Sequence, residues 1–163
     1  MTTASMSQIR QATAQDADLV GDLVAALFDE LYEPRYGEAR RSIYRAAAAE
    51  LLPASDIYAA FLAMTPAGEP VGLLTLSQCV AVYAGGRFGE INEFYLRPSA
   101  RRLGLGRALI AAAAGEASRR GWHVIEVGAP DMPRWQSSFE FYKSCGFTEI
   151  GPRLQLSFDS VTA

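Results

Sequence analysis

The stretch Arg101-Arg102-Leu103-Gly104-Leu105-Gly106-Arg107 joins a strand-like run to an alanine-rich helical run, and it constrains the fold more than any other segment. Residues 88–96 read as a strand that stops at Arg97-Pro98. The helix expected from about 104 to 120 carries Leu105, Ala108, Leu109, Ala112 and Ala113 as its buried stripe and ends at Gly121. A strand that passes through a glycine turn into such a helix implies an α/β domain. Two glycines two residues apart allow a tight surface turn and let a ligand approach bare backbone. The first amides of the helix have no intrahelical partners and sit at its positive end, so the junction reads as an anion site. No Ser, Thr, Asp or Asn stands just before Gly104 to cap the helix, a task a bound phosphate could perform.

Upstream, Leu19, Val20, Leu23, Val24, Leu27, Phe28 and Leu31 recur at helical spacing after a short strand near Ile9. Residues 32–37 break that helix, and a second is expected from about 38 to 52, before Pro53. The pattern then changes to strands at 57–64 and 71–77 and a turn at 84–87, before the strand at 88–96. Downstream, 122–127 reads as a strand and 135–145 as a helix closed by Gly146. Short strands are expected at 148–150 and 153–158. The 163 residues show no repeat or linker, so they are read as one domain, residues 1–163: a mixed, mainly antiparallel sheet flanked by helices.

The formal net charge is -3, which disfavours nucleic acid or anionic membrane as a partner. A polyanionic ligand would need a local cluster, which Arg101, Arg102 and Arg107 supply. Cys79 and Cys145 are far apart and His123 is the sole histidine, so no metal centre is expected. His123 itself reads as a packing or hydrogen-bonded strand residue. With neither a signal-like start nor an apolar run long enough to span a bilayer, a cytoplasmic protein is expected. The junction lacks the Lys-Ser/Thr of a P-loop and the third glycine of a dinucleotide fingerprint.

Strand, Arg-x-x-Gly-x-Gly, helix resembles the central motif of the GCN5-related N-acetyltransferases (GNAT). Phe141-Tyr142-Lys143-Ser144-Cys145-Gly146-Phe147 is similar to that family's aromatic-Tyr-x-x-x-Gly-Phe segment, and the two occur in the family's order. The resemblance implies a GNAT-like fold and transfer of an acetyl group from acetyl-CoA to a primary amine on a small molecule or peptide. The alternative is a catalytically silent acyl-CoA-binding sensor or interaction module. By the same resemblance, the backbone from Arg101 through Arg102, Leu103, Gly104, Leu105, Gly106 and Arg107 would hold the pyrophosphate. Phe94, Tyr95 and Leu96 would run beside the pantetheine, and the sheet would splay between 88–96 and 122–127. Tyr142 would be the acid for the departing thiolate, and Phe28, Tyr32 and Tyr36 would line the acceptor site. A homodimer is an open possibility.

Three positions depart from the family pattern. Trp135 and Ser138 stand where many members have Asn and Ala, and Asn92 stands where some place a glutamate base. Glu90 and Glu93 are then the candidates for the base, with Glu93 preferred. Three residues apart, they fall on opposite faces of a regular strand, so at most one lines a pocket unless a bulge intervenes.

Overall fold

The computed structural model describes residues 8–129 and 131–156. The chain divides into two compact units, Met1–Val127 and Gly128–Ala163. In the first, strand β1 (Gln8–Gln11) leads through a 3₁₀ turn into helices α1 (Ala17–Leu31) and α2 (Tyr36–Leu51). Strands β2 (Tyr58–Met64), β3 (Pro70–Ala81) and β4 (Gly86–Leu96) follow, then helix α3 (Leu105–Arg120) and strand β5 (Ile125–Val127). In the second unit the described residues form one helix, α4 (Gln136–Ser144), and irregular chain.

The sheet runs β1-β2-β3-β4-β5, antiparallel throughout except for the parallel pair β4–β5. Leu73, Leu74 and Leu76 of β3 are all fully buried, which alternation on a half-exposed strand would not permit. Both faces of the central strands are covered. Leu62, Leu73 and Tyr95 pack with Val20, Leu23 and Val24 of α1 and Ala48 of α2. The alternate residues Phe61, Leu74 and Leu76 point to the other face, where α3 packs on β2, β3 and β4 with Leu109 and Ala113 buried. Each such leucine contributes about 1.5–3 kcal/mol by leaving water.

Helix α2 starts at Tyr36, earlier than its composition predicts, because its cap comes from α1. The N-cap residue Arg35 is left-handed (φ 67°) and offers no capping side chain. Asp29 supplies it: its Oδ1 accepts from the amides of Gly37 (2.7 Å) and Glu38 (3.1 Å). The two helices cross closely there. A Cβ on Gly37 would stand 1.9 Å from the Ala25 carbonyl oxygen, a backbone atom that cannot swing away.

That contact and an open one in α3 predict opposite outcomes for the same substitution. Gly37→Ala is expected to destabilise by about 2 kcal/mol, overpacking of about 3 kcal/mol outweighing the roughly 1 kcal/mol gain in helix propensity. For a chain this size that lowers Tm by roughly 4–8 °C. Gly115→Ala, where an added Cβ meets nothing within 4 Å, should raise stability by about 0.4–1 kcal/mol. Thermal melts of the two variants check both signs.

Several sequence expectations are corrected. The β3–β4 turn occupies 82–85, two residues early, because β3 extends to Ala81. Strand β5 starts only at Ile125. Trp122 does not join it, because its amide donates to Ala117 O (2.8 Å) as α3 closes, and its buried ring covers Gly89. His123 is exposed and outside the strand. Residues 148–150 and 153–156 form no strand, and 157–158 lie outside the described residues.

Candidate active site

At the glycine junction the backbone winds through two left-handed residues, Arg102 (φ 60°) and Gly104 (φ 81°). Gly104 is the N-cap of α3 and no side chain caps the helix, as its sequence implied. The internal ladder begins with Ala108 N donating to Gly104 O (3.1 Å), which leaves the amides before it directed out of the helix end. Arg102, Leu103 and Arg107 are exposed, whereas Leu105 and Gly106 are buried. Gly106 is therefore a packing position in the first turn, not a surface-turn position.

Arg101 points elsewhere. Its guanidinium forks onto Glu30 of α1 (2.8 and 2.6 Å), and its Nε donates to Leu96 O (2.9 Å). It thus ties the end of β4 to α1. Tyr95 has its ring in the core below that fork, so its side chain serves packing.

Strand β5 pairs with β4 only from Gly89 to Ile91. Glu93 N and Arg97 N both point towards β3, onto Thr75 Oγ1 (3.0 Å) and Val71 O (2.8 Å). By the alternation of strand amides, those of Phe94 and Leu96 face the opposite edge.

A β-bulge sits in the same stretch. Leu74 pairs with Phe94 and Leu76 with Ile91, so the single residue Thr75 opposes both Asn92 and Glu93. The extra residue brings Glu93 to the face that carries Glu90. Glu90 pairs with Ser77 and lies 3.5 Å from Cys79 Sγ, while Glu93 bonds Thr75, and Thr75, Ser77 and Cys79 share one face of β3. Only Glu93 reaches the cleft of about 380 Å³ on that face, which it lines with Asn92, Tyr58, Ser77, Gln78, Leu51 and Ile57.

Burial raises the Glu93 carboxyl above the ordinary carboxylate range, and the hydrogen bond from Thr75 only partly opposes that. Burial, then the neighbouring Glu93 charge, push the Tyr58 phenol well above its usual value. The cleft therefore presents a carboxylate of heightened basicity beside a phenol that stays neutral. Thr75 and Tyr58 were not singled out from the sequence. The run Thr75-x-Ser77-x-Cys79 within an apolar strand was the available signal.

Phe28, Tyr32 and Tyr36 do come together. The Phe28 and Tyr32 rings stack at 5.6 Å, Tyr32 and Tyr36 lie 4.8 Å apart, and Arg40 covers Tyr36 at 3.8 Å. Phe28 is rooted against the core, while Tyr32 is 55% exposed. In the second unit, Tyr142 lies near the end of α4 with its ring between Phe141 and Phe147. Its carbonyl accepts from Cys145 N and Phe147 N as Gly146 turns the chain in the left-handed region (φ 97°). Burial lifts its phenol well above the ordinary range. Among the described residues no group of His, Cys, Asp or Glu could hold a metal ion, and no helix is long and apolar enough to cross a membrane.

The site thus joins an uncapped, glycine-turned helix start to a strand whose bulge carries a carboxylate into a cleft, within a mixed α/β domain. Residues 22–147 match the acetyltransferase (GNAT) family, and the chain belongs to it. Among solved structures, a candidate acetyltransferase from Arthrobacter sp. FB24 is 28% identical, with 98% of this chain and 99% of that one covered at a TM-score of 0.74. A candidate acetyltransferase from Clostridium acetobutylicum, in a structure with acetyl-CoA, is 22% identical over 93% and 96% of the two chains (TM-score 0.75). The ribosomal-protein-alanine N-acetyltransferase of Brucella melitensis biovar Abortus 2308 is 22% identical over 94% and 99% (TM-score 0.72). No curated protein matches the sequence.

Proposed function

We propose that this protein transfers an acetyl group from acetyl-CoA to a primary amine, with Glu93 as the general base and Tyr142 as the acid. The observation that carries this reading is the bulge that places the Glu93 carboxylate in the cleft. The family match spans parts of both compact units, which supports treating residues 1–163 as one catalytic domain.

The residues present suit the co-substrate. The uncapped amides at the start of α3, with Arg102 and Arg107 beside them, form a donor set for a pyrophosphate. Arg101 supports the adjoining strand end by gripping Glu30 and the Leu96 carbonyl. The outward amides of Phe94 and Leu96 suit a ligand chain that binds as an added strand, and either could steady a developing oxyanion. When bound, acetyl-CoA would supply an acetyl group activated as a thioester.

An alkyl ammonium has a pKa near 10.4, so freeing its lone pair at pH 7 costs about 4.6 kcal/mol. Glu93, its pKa raised by burial, takes that proton directly or through one water. The Tyr142 Oη–H gives a proton to the departing sulfur. Phe28, Tyr32 and Tyr36 form an aromatic wall suited to a cationic or aromatic acceptor.

Acetyl-CoA at a hundred times its Kd should stabilise the protein by about 2.7 kcal/mol. That corresponds to a rise in Tm of roughly 5–10 °C. Amine-dependent release of free thiol from acetyl-CoA, followed across a panel of acceptors, then tests transfer. A thermal shift without thiol release on any amine would favour the silent binding module, and no shift at millimolar acetyl-CoA would reject the co-substrate.

A further inference from the structure

We propose that Thr75 is a positioning residue for Glu93: its hydroxyl donates to carboxylate Oε2 while accepting from the Glu93 amide, leaving Oε1 to take the proton from the acceptor amine. The inference rests on Glu93 being the base.

Thr75 is fully buried in a strand whose neighbours Leu73, Leu74 and Leu76 are also fully buried. A hydroxyl in such surroundings is unfavourable unless it is hydrogen-bonded, and valine would fill the same volume without that demand. What the hydroxyl does there follows from the bulge. In the bulge, where Thr75 opposes two residues, the Glu93 amide points at β3 and donates to Thr75 Oγ1 (3.0 Å). With a lone pair accepting from that amide, the hydroxyl proton is free to point at Glu93 Oε2, and it does. One oxygen atom thus ties the carboxylate to its own backbone and removes side-chain freedom that a base would otherwise have to lose at each turnover. Among the described residues Oε1 accepts no hydrogen bond, so its lone pairs are left for substrate. In the transfer, an ammonium N–H bond breaks, an O–H bond forms at Oε1, and the nitrogen keeps the electron pair.

The other groups facing this carboxylate do not compete for the proton. Tyr58 from β2 is held neutral, Asn92, Ser77 and Gln78 do not titrate, and Leu51 and Ile57 are apolar. Glu90 and Cys79 lie further along the same face, in contact with each other.

The test compares Thr75→Val with Thr75→Ser by pH–rate profiles and by NMR titration of the ¹³C-labelled Glu93 carboxyl. Thr75→Val should move the midpoint of the acidic limb and of the carboxyl titration upward by about one pH unit. It should also lower kcat about tenfold with KM for acetyl-CoA unchanged, and Thr75→Ser should restore both. In a Glu93→Gln background, Thr75→Val should cost nothing further in rate. A folded Thr75→Val protein with the wild-type titration and kcat would overturn the proposal, as would an equal rate loss in the Glu93→Gln background. Thr75→Ala replaces the valine variant, with the same readings, if that variant does not fold. If Glu93→Gln keeps the full rate and the acidic limb, the base assignment fails instead; the carboxyl titration still decides whether Thr75 controls Glu93.

Discussion

Replacing Glu93 by glutamine is expected to lower kcat by about 10²–10³-fold, with KM for acetyl-CoA close to wild type. Glutamine keeps the shape of the side chain and an oxygen that Thr75 can still donate to, so the bulge has no reason to rearrange. What is lost is the ability to hold the amine proton. The pH dependence makes the assignment specific. Below its folded pKa the Glu93 carboxyl already carries a proton and cannot accept another, so activity rises with pH as that proton leaves. Since burial raises the pKa, the acidic limb should lie above the ordinary glutamate value, and Glu93→Gln should abolish it. The stability effect has the opposite sense. A carboxyl whose pKa is raised on folding favours the native state below its unfolded pKa, about 4.3, and that contribution is lost as pH rises through the raised value. At neutral pH the charged form is therefore a burden, and the glutamine protein should melt at the same temperature or higher. Full activity with an unchanged acidic limb would remove Glu93 from the chemistry.

Tyr142→Phe should reduce kcat on the order of 10²-fold and leave the affinity for acetyl-CoA intact. General acids contribute about 10²–10⁴-fold, most where the leaving group is poor, and a thiolate with a pKa near 8.5 is a fair one. The raised phenol pKa points the same way: Tyr142 remains protonated throughout the assay range but is a weak donor, so the effect belongs at the low end. The aromatic contacts with Phe141 and Phe147 survive the substitution, and stability should change by no more than about 1–1.5 kcal/mol. A purely structural tyrosine would give near-normal turnover. The comparison should be made at saturating acetyl-CoA with an amine for which chemistry limits the rate.

Much of the scaffold could be read from short stretches of chain. The start of α3 was legible because a glycine at positive φ, an absent cap and an alanine-rich helical period are all local properties. Gly146 closing α4 is another such case. Strands β2, β3 and β4 were legible as apolar runs, although their continuous burial could not be told from half-burial until helices covered both faces. Residues 148–150 and 153–156 have strand-like composition but no regular structure, and composition does not supply a pairing partner.

The sequence by itself determined the order of helices and strands from β1 to α4, the uncapped glycine turn before α3 and the family signatures, because each depends on residues adjacent in the chain. It also left Glu90 and Glu93 as candidate carboxylates, but it could not say which of them reaches a cleft. Only the tertiary structure decided that, through a single unmatched residue in the pairing of β3 with β4. One extra residue reverses which side of a strand every following side chain occupies, and the register between strands is set by contacts that no local pattern encodes. The same holds for Asp29 capping a helix it does not belong to, and for Thr75, eighteen residues from the carboxylate it holds.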